Sequence, residues 1–422
     1  MIHPDREGRG SARRPEARVE EAAGLALALD LEVRETMVVH LRQLTPATLF
    51  GKGKVEEIRI LVEAEEIDVV VIDDALTPVQ QRNLEKAWSA KVIDRTGLIL
   101  EIFARRARTR EGRLQVELAR LTYERSRLVR TWTHLERQRG GFGVMGGPGE
   151  TQIETDRRLI ADKIRKLKAE LVEVRRTRTL QRSARKRVPF PTVALVGYTN
   201  AGKSTLFNRL TEAKVVAADM LFATLDPTLR SLKLPDGRPA ILSDTVGFIS
   251  DLPHELVEAF RATLEEVKEA DVVLHVRDIA SDESAAQAGD VRAVLARLGV
   301  DMEERRILEV WNKIDLVPTD DRDTVAGDAR RADPPAIPVS AVTGQGCDDL
   351  LAAVASLVDE TPPVDVYAPA GEGAAIAWLY RNGRVLERVD GKDGSTRLAV
   401  SLTPQALGQF EQLYPTSEVR AH

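Results

Sequence analysis

The sequence predicts an α/β protein of several domains, on the strength of three observations. Helical and strand-like patterns alternate from residue 16 to residue 103, which is typical of a parallel sheet covered by helices. Two long helical patterns separated by a glycine-rich break come next. From residue 192, an apolar strand-like run leads through a second glycine-rich loop into a helix. The 422 residues leave room for two to four such domains.

The composition is that of an ordinary globular protein, 43% hydrophobic and 30% charged, with a net charge of −5. Cys347 is the single cysteine, which excludes an internal disulfide framework and favours a reducing, cytoplasmic environment. No apolar run approaches the roughly 18 residues that a membrane span needs, so we expect none. Residues 1 to 15 carry charge and glycine without an apolar stretch, and we expect a disordered leader there, not a signal peptide.

The first predicted domain, residues 16 to 103, is a small parallel α/β subdomain. Its strand-like runs are TMVVHL, DVVVID and KVID, and helical patterns separate them. The loop LFGKGK has the glycines of a phosphate loop but lacks the Gly-Lys-Ser/Thr ending. We therefore interpret it as a turn before a helix.

Residues 104 to 187 are predicted to form a long antiparallel helical hairpin, which we call the arm. Apolar residues recur at alternating spacings of four and three from Leu114 to Leu135 and again from Ile160 to Val174. This spacing gives each helix a narrow apolar seam along which the two can pack. Six of the ten residues from 140 to 149 are glycine, which predicts a flexible tip, and a basic linker follows at 175 to 187.

The first half of the arm is strongly basic. Eleven arginines stand against four glutamates between Ala104 and Arg139, a local net charge of +7 in a net acidic chain. Two interpretations remain open: a solvated helix face with Glu–Arg pairs, or a surface that follows the phosphate backbone of RNA. The residues expected to contact RNA in the second case are Arg105, Arg106, Arg108, Arg110, Arg139, Phe142 and Met145.

The stretch GYTNAGKST, residues 197 to 205, fits the phosphate-loop pattern G-x-x-x-x-G-K-[ST]. Gly197 and Gly202 let the backbone bend so that its N–H groups point at phosphate oxygens, and the following helix adds its positive dipole end. Lys203 is placed to reach the β- and γ-phosphates, and the Ser204 hydroxyl to ligate Mg²⁺. The strand–loop–helix context makes a glycine-rich turn without a ligand a poor alternative.

Three downstream motifs predict that the nucleotide is guanine-based. WNKID holds N-K-x-D, in which the Asp315 carboxylate can accept hydrogen bonds from groups that guanine has and adenine lacks. SDTVGF holds D-x-x-G, in which Asp244 would hold Mg²⁺ through water and Gly247 would contact the γ-phosphate. Ser340 and Ala341 would support the guanine oxygen.

A threonine must also close over the metal, and FATLDPT offers Thr224 and Thr228, of which we prefer Thr224, partly because of a family resemblance. Lys203, Thr224 and Gly247 are the expected catalytic residues, and Ser204 and Thr224 the expected Mg²⁺ ligands. The complete set expected to bind nucleotide is Gly197, Tyr198, Thr199, Asn200, Ala201, Gly202, Lys203, Ser204, Thr205, Phe222, Ala223, Thr224, Leu225, Asp226, Asp244, Thr245, Val246, Gly247, Asn312, Lys313, Ile314, Asp315, Ser340, Ala341 and Val342.

These motifs, together with FATLDPTLR, PATLFGKGKVEEI, QQRNLEKA, VIDRTGLILEIFARRARTREGRLQVELARL and GGPGETQIETDRRLI, resemble the HflX GTPases. The resemblance covers roughly residues 16 to 360. It implies a Ras-like P-loop GTPase domain at 188 to 360, preceded by the α/β subdomain and the arm. It also implies a GTPase that binds the large ribosomal subunit (rRNA) and splits stalled or idle ribosomes, with the arm reaching toward the peptidyl-transferase centre.

The C-terminal residues, 361 to 422, depart most from the resemblance. Residues 376 to 389 and 397 to 402 are strand-like, and a helical pattern follows at 403 to 413. We expect a small α+β domain there. Away from the ribosome we expect a monomer.

Hydrolysis of GTP requires an attacking water held in line with the γ-phosphate. Many Ras-like proteins use a glutamine directly after D-x-x-G for this purpose, and here that residue is Phe248. We expect slow intrinsic hydrolysis that ribosomes stimulate. Asn200 fits a loop form that resembles potassium-activated GTPases, so that a K⁺ ion and a merely structural asparagine stay equally open. A GTP-timed RNA-binding or assembly factor without splitting activity is the alternative function, whereas N-K-x-D argues against an ATP-dependent kinase.

Overall fold

The computed structural model describes residues 1–6, 13–138, 148–185, 190–211, 221–252, 266–297, 299–300, 306–358, 364–391, 394–402 and 404–421. The chain divides into two compact units. The first comprises residues 1–232 and 240–347, and the second comprises residues 233–239 and 348–422. The second unit thus begins at Asp348, before the domain limit of 361 that the sequence predicts. Within it, Arg238 donates a hydrogen bond to the carbonyl of Ala355 (3.2 Å), so the short turn at 233–239 belongs with the helix that ends at Val358.

The first unit begins with a four-stranded parallel sheet in the order β2-β1-β3-β4. The strands are β1 (Ile2–Arg6), β2 (Met37–Leu41), β3 (Val69–Ile72) and β4 (Lys91–Asp94). Three helices lie between them: α1 (Pro15–Leu27), α2 (Lys52–Ala64) and α3 (Pro78–Trp88). A core that includes Phe50, Leu84 and Trp88 is buried in this layer. Thr77 and Gln80 form a capping box that fixes the start of α3.

The expectation of a disordered leader over residues 1 to 15 is wrong for its first residues. Ile2–Arg6 pairs in parallel with Met37–Leu41, which makes β1 an inner strand of the sheet. His3 is buried and its Nδ1 lies 2.8 Å from Asp73 Oδ2. The stretch is short and polar, so its pairing depends on strands far along the chain. Residues 7 to 12 lie outside the described residues.

Three helices connect this sheet to the next: α4 (Arg95–Arg106), α5 (Arg110–Gln138) and α6 (Pro148–Arg185). α5 and α6 form the arm. They pack along the seam that the sequence predicts, and Leu121, Ile164 and Leu167 form its buried part. The glycine-rich tip falls almost entirely outside the described residues, and with it Arg139, Phe142 and Met145.

A six-stranded sheet in the order β10-β9-β8-β5-β7-β6 carries the phosphate loop. Its strands are β5 (Thr192–Gly197), β6 (Thr228–Lys233), β7 (Pro239–Asp244), β8 (Val272–Asp278), β9 (Arg306–Asn312) and β10 (Ala336–Pro338). The pairs from β7 through β5, β8 and β9 to β10 are all parallel. The described helices of this part are α7 (Lys203–Thr211), α8 (Ser284–Arg297) and α9 (Arg322–Arg331). The parallel strands bring Gly197, Asp244 and Asn312 to one edge of the sheet, where parallel sheets bind ligands.

The second unit contains an antiparallel sheet in the order β12-β13-β11-β14. Its strands are β11 (Val364–Ala368), β12 (Arg384–Asp390), β13 (Thr396–Ser401) and β14 (Glu418–Ala421). Its helices are α10 (Cys347–Val358), which begins one residue earlier, α11 (Gly373–Asn382) and α12 (Pro404–Leu413).

One prediction for this unit is wrong: the first half of the strand-like run at 376 to 389 is helix α11. Ala375 and Leu379 lie four residues apart and are both fully buried, so the apolar residues form a helical stripe. Trp378 extends that stripe, and its ring packs on Phe410 with the centroids 5.5 Å apart. Among the described helices of the protein, none has the length and apolarity that a bilayer span requires.

Candidate nucleotide site

The phosphate loop joins β5 to α7 in the conformation that its glycines require. Gly197 has φ +154° and Gly202 has φ +90°, values that L side chains rarely adopt. A Cβ on Gly197 would lie less than 3.0 Å from the carbonyl of Val276, and one on Gly202 less than 3.0 Å from the Asn312 side chain. Both glycines are therefore needed for φ and for space.

Lys203 begins α7 and is buried in the loop. Its Nζ donates to the carbonyl of Tyr198 (2.8 Å), which holds the ammonium group inside the curve of the loop. Burial lowers the pKa of Lys203 to about 8, although the charge of Asp244 works in the opposite direction. The buried ammonium group of Lys203, with Asp244 as its charged neighbour, is suited to binding a phosphate.

Ser204, Thr224 and Asp244 converge on one point. Ser204 Oγ lies 2.7 Å and Thr224 Oγ1 lies 2.9 Å from Asp244 Oδ2, and the two hydroxyls are 2.9 Å apart. The other carboxylate oxygen, Asp244 Oδ1, is buried and has no hydrogen-bond partner among the residues that the structure describes. Burial raises the pKa of Asp244, and Lys203 and the two hydroxyls only partly offset it. Two hydroxyls and a carboxylate with a free oxygen are hard ligands, and they fit Mg²⁺.

The structure brings Thr224, and not Thr228, to this point, because Thr228 already begins β6. Thr224 belongs to the segment 222–226, which we call switch I. Its neighbours face elsewhere: Phe222 packs edge-on against Phe103 of α4, with the ring centroids 4.8 Å apart. The Asp226 carboxylate, which the sequence places in the nucleotide-binding set, instead accepts from the amides of Arg108 and Thr109 just before α5 and does not line the nucleotide cleft described below.

Gly247 ends the D-x-x-G motif close to the phosphate loop. A Cβ there would lie 2.8 Å from Thr199 Cγ2 and 3.1 Å from Lys203 Nζ. The two backbones are also bonded, since Thr199 N donates to the carbonyl of Phe248 (2.7 Å) and Phe248 N to that of Gly197 (3.1 Å). The ring of Phe248 is 2% exposed and lies in the apolar core, so it is a packing residue that cannot orient water.

The residues expected to recognise guanine stand beside the loop. Asn312 Nδ2 donates to the carbonyl of Ala201 (2.8 Å), and Asn312 Oδ1 accepts from the amide of Ala341 (3.0 Å). Asn312 therefore ties N-K-x-D, the phosphate loop and the Ser-Ala turn together. Lys313 has φ +68°, and its Nζ lies 2.7 Å from Asp278 Oδ2. The Asp315 carboxylate is half-buried, whereas the Val342 side chain is 65% exposed.

One cleft gathers much of the predicted set. It is lined by Thr199, Asn200, Gly202, Lys203, Ser204, Thr205, Phe222, Ala223, Thr224, Thr245 and Gly247. Three other predicted residues belong to a buried apolar core: Tyr198, Leu225 and Val246.

Sequence reasoning missed a polar cluster behind the loop, which we call the Glu21 cluster: Arg13, Glu21, Asp73, Arg95, Tyr198 and Ser250. Tyr198 Oη donates to Glu21 and accepts from Arg13 (2.7 Å) and from the amide of Ser250 (2.8 Å). Arg95, fully surrounded by protein, bonds to Asp73 and Glu21. The tyrosine inside the loop was the only sequence signal for this cluster.

Four family models match consecutive parts of the chain. Their descriptions are "GTP-binding GTPase N-terminal" (residues 16–104), "GTP-binding GTPase Middle Region" (106–185), "50S ribosome-binding GTPase" (192–313) and "HflX C-terminal domain" (327–415). The GTPase HflX of Magnetococcus marinus is 53% identical over 394 residues, which cover 93% of this chain and 90% of that one. This chain belongs to the HflX GTPase family.

The GTPase HflX of Escherichia coli agrees, with 47% identity over 85% of this chain and 83% of that protein. A solved structure, SsGBP in complex with GDP, is 25% identical with a TM-score of 0.49 and covers 85% of this chain and 98% of that one. This HflX-family chain is thus a GTP-binding enzyme that hydrolyses GTP, and its Ras-like P-loop GTPase fold confirms the fold class that the sequence predicts.

Proposed function

We propose that this GTPase binds the large ribosomal subunit and separates stalled or idle ribosomes into subunits. The arm is the observation that carries the proposal. α5 has 29 residues and α6 has 38. At about 1.5 Å per residue these helices run for roughly 44 and 57 Å, far longer than a nucleotide site requires. A lever of this length can enter a confined surface.

Three arginines of the arm are exposed and could reach RNA phosphates. Arg110, Arg165 and Arg176 have side chains that are 78%, 80% and 74% exposed. Each forms an ion pair with a carboxylate of the arm itself, and ion pairs as exposed as these contribute little to stability. Exchange of such weak pairs for phosphates, with release of counterions, favours RNA binding.

Arg105 and Arg106, expected from the sequence to contact RNA, already have partners within the protein. Arg105 forms an ion pair with Asp30 and donates to the carbonyl of Leu29 (2.8 Å). Arg106 donates to the carbonyl of Ala28 (3.2 Å). The proposal therefore rests on the exposed arginines of α5 and α6, and it agrees with the "50S ribosome-binding GTPase" description of the matching family model.

The predicted nucleotide residues would have these roles. Ser204 and Thr224 would bind Mg²⁺, Asp244 would hold it through water, and Lys203 and the Gly247 amide would bind the terminal phosphates. Mg²⁺ bound there would supply positive charge beside the β- and γ-phosphates. Asp315 selects guanine, so Asp315→Asn should weaken GTP binding by at least about 100-fold in an equilibrium titration. A GTP affinity unchanged in that variant would remove Asp315 from the recognition of guanine.

Phe248 bears on the rate of hydrolysis. Because its ring is buried, another group must hold the attacking water, and we propose that ribosome binding completes this arrangement. Hydrolysis by the protein alone should then be slow, and single-turnover assays with and without ribosomes measure the difference. Comparison of turnover in KCl and in NaCl tests the potassium expectation for Asn200, and equal rates would count against the ion.

Light scattering of whole ribosomes mixed with the protein and GTP tests the splitting activity. A fall in scattering supports the proposal. Scattering that stays constant while the protein still sediments with the large subunit would instead favour an RNA-binding or assembly factor timed by GTP. Sedimentation in GDP and in a non-hydrolysable GTP analogue identifies the nucleotide state that binds.

A further inference from the structure

Switch I is bonded directly to the first residues of the arm. The Oδ2 atom of Asp226 accepts hydrogen bonds from the amides of Arg108 (2.8 Å) and Thr109 (2.9 Å), and its Oδ1 accepts from Thr109 Oγ1 (2.5 Å). Thr109 in turn caps α5. Its Oγ1 accepts a hydrogen bond from the amide of Gly112 (2.9 Å), and its carbonyl accepts one from the amide of Arg113 (3.1 Å). A carboxylate at this end of a 29-residue helix is also favoured by the helix dipole.

Gly112 makes room for this carboxylate. A Cβ at Gly112 would lie less than 3.0 Å from Asp226 Oδ1. Glycine in a helix is less favourable than alanine by up to about 1 kcal/mol, so its presence in the first turn of α5 needs a reason. The close approach of Asp226 is that reason.

Two further contacts hold the same segment. Phe222 packs on Phe103 of α4, and Leu225 lies in the apolar core that also contains Val116 of α5. Thr224 stands between them and points the other way, toward Ser204 and Asp244. Switch I is thus fixed to the base of the arm on both sides of the residue that faces the proposed metal.

We propose that Asp226 is a positioning residue that couples Thr224 to α5, so that occupation of the metal site and the placement of the arm base change together. The inference rests on the proposed role of Thr224 as a Mg²⁺ ligand. While Asp226 holds Arg108 and Thr109 at the start of the arm, Thr224 stays in position to bind the metal. Conversely, release of Thr224 after hydrolysis loosens the cap of α5, because coupling between two sites is reciprocal.

The test measures the Mg²⁺ concentration that gives half-maximal single-turnover GTP hydrolysis, without ribosomes. Asp226→Ala and Gly112→Ala should each raise it about 5- to 10-fold, at the low end of the roughly 5- to 150-fold effects seen between coupled sites. Asp226→Asn keeps an acceptor for the two amides and should retain most of the wild-type behaviour. Affinity for GDP in the absence of Mg²⁺ should stay unchanged in Gly112→Ala, because Gly112 lies in α5 and does not line the nucleotide cleft.

The matched control is Gly289→Ala in α8, where a Cβ would meet nothing within 4 Å. Both alanine substitutions improve helix propensity, so a Mg²⁺ defect confined to Gly112→Ala cannot come from a weakened helix. Equal Mg²⁺ requirements in the two glycine variants would overturn the proposal. So would a loss of GDP affinity in Asp226→Ala, which would place Asp226 in the nucleotide site. A failure to split ribosomes leaves this assay untouched, so the two proposals can fail separately.

Discussion

Asp244 and Glu21 are two buried carboxylates near the phosphate loop whose pKa values are shifted in opposite directions. Burial raises the pKa of Asp244, and Lys203 with two hydroxyl donors does not compensate fully. One of its oxygens has no hydrogen-bond partner. A buried acceptor without a partner lowers the stability of the fold, and it leaves Asp244 able to accept a further bond from a ligand.

Burial alone would also raise the pKa of Glu21, but the charges of Arg95 and Arg13 and a hydrogen bond from Tyr198 lower it to about 2. Both of its oxygens are used: Oε1 accepts from Arg95 (2.5 Å) and Ser250 Oγ (2.9 Å), and Oε2 from Arg13 (2.7 Å) and Tyr198. The contrast shows that burial and charge do not distinguish a ligand site from a structural ion pair. What differs between these two sites is the Asp244 Oδ1 acceptor, which has no hydrogen-bond partner among the described residues.

The largest effect is expected from Asp244→Asn. Removal of a preorganised charge at the metal site should slow GTP hydrolysis by about 10²- to 10³-fold in a single-turnover assay. Without nucleotide the free energy of unfolding should stay the same or increase, since a buried carboxylate with a raised pKa is replaced by a neutral amide. Asp320→Asn, at an exposed position, is the control. Hydrolysis within about threefold of wild type would contradict the assignment.

Glu21→Gln should have the opposite profile. The substitution leaves the buried guanidinium groups of Arg95 and Arg13 without their shared anion, and the free energy of unfolding should fall by about 3 kcal/mol in urea denaturation. Its exposed neighbour serves as control, since Glu20→Gln should change stability by less than about 0.5 kcal/mol. If both variants were equally stable, the Glu21 cluster would not hold the loop.

Acid should reduce that difference. The folded-state pKa of Glu21 is about 2, below its ordinary 4.5, so its stabilisation is complete above pH 4.5 and is lost as the pH falls through 2. At 1.36 kcal/mol per pH unit, the gap between wild type and Glu21→Gln should shrink by about 2 kcal/mol between pH 7 and pH 3. Urea denaturation at both pH values measures it. A gap independent of pH would mean that Glu21 contributes through packing alone.

The smallest effect separates two buried serines. Ser250 Oγ donates to Glu21, and Ser250→Ala should cost about 1 kcal/mol of stability. Ser243 Oγ is also buried but has no hydrogen-bond partner in the described part of the chain, so Ser243→Ala should be neutral or slightly stabilising. Thermal unfolding of the two variants side by side compares them. A reversed order would contradict the rule drawn from the two carboxylates.

Sequence reasoning succeeded where the chemistry is local. Phosphate binding needs glycine at 197 and 202 and a lysine next to the helix start, so the spacing alone indicates the loop. The seam of the arm was also predictable, because a 4-3 repeat is a property of one helix. The choice of Thr224 over Thr228 needed the resemblance, and the structure then placed its hydroxyl beside Asp244.

It failed where contacts join distant segments. Strand β1 is polar and short, and its place in the sheet depends on partners beginning at Met37. The apolar pattern of residues 376 to 382 is compatible with either a strand or a helix. The segment is a helix because that conformation buries Ala375 and Leu379 on one face. Nothing in the local pattern distinguished these alternatives.

By itself the sequence determined the family of this GTPase and predicted its chemistry: a loop expected to curve around phosphate, an acid expected to accept from guanine, and the charge of the arm. Each depends on residue types a few positions apart, and the backbone expresses such spacing directly. Only the tertiary structure decided that both oxygens of Glu21 have partners whereas one oxygen of Asp244 has none among the described residues, and that Asp226 bonds to Arg108 and Thr109 just before α5. Those outcomes depend on contacts between side chains that lie one to two hundred residues apart in the sequence. The packing of the whole first unit determines these contacts.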